Sequence, residues 1–183
     1  MDRSPIPHEM QRMMLSKITC QRIDQEVAKY PAEQKQSAVI AALSIVQQEQ
    51  GWVSPEAEKA VADYLGMPPI AVHEVVTFYN MFNTRPVGRF KLNVCTNLPC
   101  ALSGGNTAAQ YLSDKLGVAP GETTADGVFT LQESECLGAC GDAPALLVND
   151  RRLCSFMRPE RLDVLVEELR AEAARQTSDG ESK

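Results

Sequence analysis

The apolar residues in the first half of the chain recur with a helical period. Within Glu33–Gln50, the residues Val39, Leu43 and Val46 fall at i, i+4 and i+7, which is one face of an α-helix. Gly51 follows, and a glycine at this position is typical of a helix C-terminus. The pattern therefore predicts an amphipathic helix that ends at about Gln50.

Start and stop signals predict two more helices after this one. Ser54-Pro55-Glu56 has the order N-cap, N1 proline and first-turn acid, so a helix should run from here to Leu65 and end at Gly66. Pro68-Pro69 opens the next helix, and its apolar stripe is predicted to consist of Val72, Val75, Val76, Tyr79 and Phe82. Residues 17–83 are therefore expected to be all-helical.

From Arg89 onward the hydrophobic period changes to two. Phe90, Leu92 and Val94 alternate with polar residues, which predicts a strand. The later predicted elements are a helix after Gly104-Gly105 with Ala109, Leu112 and Leu116 on one face, a loop over Gly121–Gly127, a strand over Val128–Glu135, a hairpin of Ala145–Val148 and Arg152–Phe156, and a helix from Pro159 that buries Leu162, Leu165, Val166 and Leu169. The order β-α-β-β-β-α predicts that the first two strands are parallel and joined by a crossover helix.

This change of period divides the chain into segments. We expect a loose N-terminal segment over residues 1–16, a helical docking domain over 17–88, an α/β domain over 89–172 and a loose polar tail over 173–183. Thr84–Gly88, which contains Pro86 and Gly88, is the predicted linker. The expected fold class is thus an N-terminal helical bundle followed by an α+β or α/β domain.

Composition and charge exclude several classes of function. The 183 residues carry 18 Lys plus Arg against 24 Asp plus Glu, a net charge of −6, and 5% of them are aromatic. Without a basic cluster or stacking aromatics, nucleic acid is not an expected partner. No apolar run approaches the ~20 residues that span a bilayer, and the N-terminus lacks a signal-peptide core. We expect a cytoplasmic protein with no direct membrane insertion.

Four of the six cysteines form two close pairs. Cys95 and Cys100 are separated by four residues, Cys136 and Cys140 by three, and 35 residues lie between the pairs. In a reducing compartment, clustered cysteines bind metal more often than they form disulfides. Each pair follows a predicted strand, and the carboxyl ends of parallel strands meet at one sheet edge. The sequence therefore predicts a single site with four thiolate ligands.

Two kinds of metal centre suit four thiolates, namely zinc in a tetrahedral site and a [2Fe–2S] cluster. The wider C-x4-C and C-x3-C spacings favour the larger binuclear cluster. A Rieske centre is excluded because the two histidines, His8 and His73, lie outside both loops. Gly104, Gly105, Gly138 and Gly141 would allow close backbone approach and N–H donation to sulfur. The other two cysteines, Cys20 and Cys154, are predicted to be packed and inert.

The stretch from Tyr30 to about Arg170 resembles the thioredoxin-like [2Fe–2S] subunit of respiratory complex I, the 24-kDa subunit family of NADH–quinone oxidoreductase. The motifs that carry the resemblance are KYPAEQKQSAVIAAL, QGWVSPEA, VADYLGM, VTFYNMF, VCTNLPC and ECLGACGDAP. The resemblance implies a thioredoxin-like domain that holds one [2Fe–2S] cluster, with ligands at Cys95, Cys100, Cys136 and Cys140. It also implies that the helical domain docks on the NADH-oxidising partner, the flavin-bearing subunit that binds FMN and NADH.

The resemblance further implies an electron-transfer subunit in the peripheral arm of a membrane-bound complex, exchanging one electron with the partner's FMN. The chain would then be part of an enzyme, NADH dehydrogenase, without substrate chemistry of its own. No P-loop or GxGxxG motif is present, so this chain is not expected to bind NADH or FMN directly. Three alternatives remain: the equivalent subunit of an NAD-linked formate dehydrogenase or hydrogenase, a zinc-stapled interaction module, and a free ferredoxin-like shuttle.

Overall fold

A computed structural model describes residues 15–180 of the chain, with side chains through residue 175. The chain divides into two compact units, Met1–Pro86 and Val87–Lys183, and this division falls inside the predicted linker. None of the helices in the described residues is both long and apolar enough to cross a membrane.

In residues 15–86 every regular element is helical. The elements are α1 (Lys17–Val27), a 3₁₀ helix (Ala32–Ala38), α2 (Val39–Gln50), α3 (Pro55–Leu65) and α4 (Pro69–Phe78). Ser16 and Ser54 cap α1 and α3, because each side-chain oxygen accepts a hydrogen bond from a backbone N–H three residues ahead, at 3.1 Å. Gly51 and Gly66 end α2 and α3 in the left-handed region, as the sequence predicts.

Two boundaries in this unit differ from the prediction. The helix expected over Glu33–Gln50 begins only at Val39, because a 3₁₀ helix with a non-helical residue at Gln34 precedes it. The last helix ends at Phe78, so Tyr79, with φ −90° and ψ 113°, and Phe82 lie beyond the helix that was to carry them. Of the predicted loose segment 1–16, residues 1–14 lie outside the described part. Leu15, the residue that follows them, is buried.

The second unit is built on a four-stranded mixed sheet. Its elements are β1 (Phe90–Cys95), α5 (Leu98–Leu102), α6 (Gly105–Leu116), β2 (Phe129–Ser134), a 3₁₀ helix (Cys140–Asp142), β3 (Leu146–Val148), β4 (Arg152–Cys154) and α7 (Pro159–Gly180). The strand order is β2-β1-β3-β4. β1 pairs in parallel with β2 and antiparallel with β3, and β3 pairs antiparallel with β4. The parallel pair and the hairpin confirm the predicted order of elements.

One face of the sheet carries the hydrophobic core. Alternate strand residues, among them Leu92, Leu131 and Leu146, form one buried cluster with residues of both long helices, α6 and α7. Side chains alternate between the two faces of a strand, so the apolar positions with a period of two all point towards these helices. The core is therefore a two-layer arrangement of sheet and helices.

The opposite face of the sheet is polar, yet much of it is buried. The Lys91 side chain is 2% exposed, and its Nζ lies 2.7 Å from a carboxylate oxygen of Asp150. The other oxygen of Asp150 accepts a hydrogen bond from Asn93 Nδ2 at 2.7 Å. Asn149 Oδ1 accepts the backbone N–H of Lys91, also at 2.7 Å. The turn of the β3–β4 hairpin is thus tied to β1 by charge and hydrogen bonds.

The C-terminal helix is longer than predicted. The expected loose tail from residue 173 is wrong through residue 180, because α7 continues to Gly180; residues 181–183 lie outside the described part. Ala173 extends the buried face by one turn beyond Leu169, and its carbonyl accepts a hydrogen bond from Arg89 Nη1 at 2.6 Å. The segment AEAARQ is rich in strong helix formers, which explains why the helix does not end earlier.

We predict that Asp150→Asn destabilises the second unit by about 1–2 kcal/mol. The change keeps the shape and the left-handed backbone (φ 56°) but leaves the buried ammonium of Lys91 facing a neutral amide. Breaking a fully buried pair costs about 3–5 kcal/mol, and the loss is smaller here because Asp150 is 27% exposed. Urea unfolding is the measurement. Glu168→Gln, which breaks the exposed pair with Arg152, is the matched control and should cost less than about 1 kcal/mol.

Candidate metal centre

The two cysteine loops leave the sheet at the same edge. β1 ends at Cys95 and β2 ends at Ser134, and these two residues are partners in the parallel register. Two hydrogen bonds join the loops beyond that point. Thr96 N donates to Ser134 O at 3.4 Å, and Asn97 Nδ2 donates to Glu135 Oε2 at 2.9 Å. The predicted convergence of the loops at one rim is therefore present in the structure.

The first cysteine pair is buried. Cys95 and Cys100 are each 2% exposed, and both pack in a small cluster with Ala145, Leu137 and Ala139. The backbone N–H of Cys95 donates to Ala145 O at 3.1 Å, which fixes the end of β1. Leu137 and Ala139 belong to the second cysteine loop, so that loop covers the thiols of the first.

The second cysteine pair is exposed. Cys136 follows β2, and Cys140 begins a 3₁₀ helix. The backbone N–H of Gly138 donates to Cys136 Sγ at 3.4 Å, and Gly138 has φ +72°, a value that favours glycine. The expected N–H donation to sulfur is thus present at Gly138, which turns the loop around its own thiol.

Neighbouring thiols raise the pKa of two of the four cysteines, Cys100 and Cys140. Desolvation raises the pKa of Cys100, and Cys95 and Cys140 raise it further, while a backbone hydrogen bond from Ala145 acts in the opposite direction. Partial desolvation likewise raises the pKa of Cys140, followed by the effects of Cys136 and Cys95. Cys140 is therefore within electrostatic range of the other three thiols. Four thiolates at such range repel one another unless a cation lies among them.

A glycine at the start of α6 permits the close packing of the first loop. A Cβ built at Gly105 would lie 2.6 Å from Cys95 O and 2.9 Å from the carbonyl atoms of Cys100. Gly104 supplies the preceding turn with φ +97°. Gly141, by contrast, has open space around it, so its predicted role in close approach is not supported by the structure.

The donor set fits a [2Fe–2S] cluster. All six cysteines are free, and the four in the two loops offer soft thiolate ligands, which such clusters commonly bind. Among the described residues, no group of three or more His, Cys, Asp or Glu side chains is arranged to hold a metal ion. The thiols are instead arranged as two pairs, one buried and one exposed. His73 lies in α4 beside Glu58, distant in sequence from both cysteine loops.

Sequence reasoning missed several parts of the site. The short helix α5 begins between the two cysteines and contains Cys100, and its signal was the polar Asn97 followed by Pro99 in the first turn. The Asn97–Glu135 hydrogen bond joins residues that are 38 positions apart, so no local pattern indicates it. A cis peptide precedes Pro144 and likewise carries no distinctive local signal.

Cys154 is buried in β4 and Cys20 is half-buried in α1, which agrees with the packing predicted for both.

A known protein family matches most of this chain, including both cysteine loops. The profile of the family described as thioredoxin-like [2Fe–2S] ferredoxin matches residues 23–170, which include all four cysteines of the loops. The chain belongs to this family. The helices and mixed sheet of the second unit are those of the thioredoxin-like domain, and an iron–sulfur cofactor is the group that the family binds.

Curated relatives match most of the chain. NADH-quinone oxidoreductase subunit 2 of Thermus thermophilus is 40% identical over 81% of this chain and 82% of its own length. An NADH-quinone oxidoreductase subunit of Rickettsia bellii is 40% identical over 79% and 86%. Another, of Rhizobium meliloti, is 42% identical over 86% and 92%. All three relatives are named as subunits of an oxidoreductase complex.

A solved structure has a similar fold. An NAD⁺-reducing [NiFe]-hydrogenase in the air-oxidised state matches with a TM-score of 0.63 and 25% identity. The match covers 73% of this chain and 23% of the hydrogenase chain, so this protein spans about a quarter of that longer chain.

We predict that Gly105→Ala disrupts the cysteine site. The added methyl would collide with backbone atoms of Cys95 and Cys100, which cannot move independently of the loop, and overpacking of this kind costs about 1–3 kcal/mol. Reduced iron content after reconstitution and a lower urea midpoint are the expected results. Gly141→Ala is the matched control, because its methyl meets nothing within 4 Å. Equal iron content in the two variants would contradict the prediction.

Proposed function

We propose that this chain is the electron-transfer subunit of an NADH–quinone oxidoreductase, holding one [2Fe–2S] cluster between its two cysteine loops. The observation that carries the proposal is that the two cysteine loops leave the sheet at the same rim, where β1 and β2 end. The raised pKa values of Cys100 and Cys140, to which neighbouring thiols contribute, support it. The family match and relatives about 40% identical over four fifths of the chain support the same conclusion.

Cys95, Cys100, Cys136 and Cys140 are the proposed ligands. When bound, the cluster supplies a site that accepts and releases one electron. The chain contributes ligands, shielding and hydrogen bonds: the buried pair excludes water from one side, and the N–H of Gly138 donates to Cys136 Sγ. The exposed pair marks the side from which an electron partner has access.

An apolar rim borders the site and supports docking of a partner there. Leu98 and Leu102 lie four residues apart in α5, on the side opposite the buried Cys100, and are 69% and 80% exposed. Phe156 is also exposed, and its backbone N–H donates to Asp142 O at 2.8 Å, at the end of the second cysteine loop. Apolar side chains around a redox site suit a partner that must bring its own cofactor close. That partner is the proposed FMN- and NADH-binding subunit of the complex.

The helical unit offers a second contact surface. Ile70 and Phe78 of α4 are 63% and 79% exposed. The ring of Phe78 stacks edge-to-face on Tyr79, with centroids 5.0 Å apart. Exposed aromatic pairs are typical of protein interfaces. This surface supports the proposed role of the first unit as a docking domain. A ferredoxin-like protein that shuttles freely between partners would not need it.

The hydrogenase likeness supports a second candidate assembly, an NAD-linked hydrogenase or formate dehydrogenase. The quinone-linked assembly is favoured because its relatives reach 40–42% identity over nearly the whole of both chains. The subunits that co-migrate with this chain on a native gel distinguish the two. In either assembly the chain serves an enzyme, in the peripheral part of the complex, without binding NADH itself.

We predict that the full-length chain, purified without oxygen, contains two irons and two sulfides and that Cys136→Ala loses the cluster. Removing one ligand leaves an iron incompletely coordinated, so the visible absorption and the resonance signal after reduction should disappear. Cys20→Ala removes a thiol from α1 and is the matched control, which should retain both signals. A colourless wild-type protein with one zinc would identify the zinc module instead.

We predict that Leu102→Glu weakens binding to the flavoprotein partner at least tenfold and leaves the cluster spectrum unchanged. A carboxylate on the apolar rim must be desolvated on docking, which costs more than the leucine contributed. Binding is measured by titration, together with the rate at which NADH reduces the cluster in the mixture. Val164→Glu in α7 is the matched control, since Val164 is 66% exposed on an element without site residues. Equal loss in both variants would contradict a specific rim.

A further inference from the structure

One buried hydroxyl beside the cysteine loops has no hydrogen-bond partner. Ser134 Oγ is the single buried side-chain oxygen or nitrogen without a partner among the side chains that the structure describes. Other buried polar groups on the same sheet face are paired, as Asn93 is with Asp150 and as Thr130 is with the N–H of Gly88 at 2.6 Å. Burying a hydroxyl without a partner is unfavourable, so native structures rarely do it without a reason.

The position of Ser134 connects it to both thiol pairs. It is the last residue of β2 and the register partner of Cys95, so the two side chains lie on the same face of the sheet. It also stands two residues before Cys136. Its carbonyl already accepts the N–H of Thr96. The hydroxyl therefore lies at the rim where the first and second loops meet, and the bond to Thr96 ties the Ser134 backbone to the first loop.

We propose that the Ser134 hydroxyl donates a hydrogen bond to a sulfur atom of the [2Fe–2S] cluster and thereby raises its reduction potential. This inference rests on the proposed function, because it requires the cluster. Reduction adds one electron, converting a diferric cluster to a mixed ferric–ferrous one, and the electron comes from the reduced flavin of the partner. The added negative charge resides partly on sulfur, so an O–H donor stabilises the reduced form more than the oxidised form.

The neighbouring charges indicate why such a donor would matter here. Glu133 and Glu135 flank Ser134 and, as carboxylates, disfavour the addition of an electron. The hydroxyl stabilises that electron without a formal positive charge. Gly138 already provides one such donor, to Cys136, and Ser134 adds a second one from the strand side.

The test compares substitutions at Ser134 in the full-length, cluster-loaded chain. Ser134→Ala removes the donor, Ser134→Thr keeps it, and Ser134→Val has the shape of threonine without the hydroxyl. Ser103→Ala is the matched control, because that exposed hydroxyl donates to Pro99 O and lies three residues after Cys100. The measurements are iron and sulfide content, the midpoint potential followed by electron paramagnetic resonance, and the coupling to exchangeable protons in H₂O and D₂O.

We expect Ser134→Ala and Ser134→Val to make one-electron reduction about threefold to tenfold less favourable. At 59 mV per tenfold for one electron, the midpoint moves about 30–60 mV more negative. One exchangeable-proton coupling should vanish, while Ser134→Thr and Ser103→Ala retain the wild-type values. A loaded Ala or Val variant with an unchanged potential and coupling would overturn the proposal. If the Ser134→Ala variant does not retain the cluster, the difference in midpoint potential between Ser134→Thr and Ser134→Val tests the proposal. A wild-type chain without a [2Fe–2S] cluster would overturn the proposed function itself.

Discussion

The parallel register between β1 and β2 is the constraint on which the site depends. It places Cys95 beside Ser134, so that the two loops begin as neighbours at one rim of the sheet. A slip of one residue would turn Cys95 to the other face and separate the thiol pairs. The register is maintained by the apolar core on one face, where Phe90, Leu92 and their partners on β2 pack against α6 and α7. On the other face, the Lys91–Asp150 pair ties the hairpin turn to β1.

The site that results has an inner and an outer side. Cys95 and Cys100 are enclosed by the second loop, whereas Cys136 and Cys140 face outward and are bordered by exposed apolar residues. This arrangement suits a centre that must be protected from water yet exchange an electron with a protein partner. The residues also have separate roles, since the strands and glycines fix the loops while the rim is the surface that we propose for partner binding. The chain needs no nucleotide-binding motif for such a role.

Local signals predicted most of the elements, and long-range contacts account for the errors. The caps at Ser54 and Gly66 and the period-two strand at Phe90 are short-range patterns, and each was correct. The predicted boundaries were wrong where the structure has Val39 as a helix start and Phe78 and Gly180 as helix ends. There the apolar pattern alone does not distinguish a helical turn from an extended or 3₁₀ residue, nor show how far a helix continues. Likewise, Asn97 and Glu135 meet only because two strands bring distant residues together.

By itself, the sequence determined which four cysteines are candidate ligands, their grouping in pairs and the order of elements that predicts a parallel strand pair ending at one edge, because spacing and hydrophobic period are local properties of the chain. The tertiary structure alone decided which pair is buried, that Gly105 must lack a side chain, and that the hydroxyl of Ser134 has no partner beside the thiols. Those features depend on which surfaces come into contact after folding. Contact between residues far apart in the chain leaves no periodic trace in a single sequence.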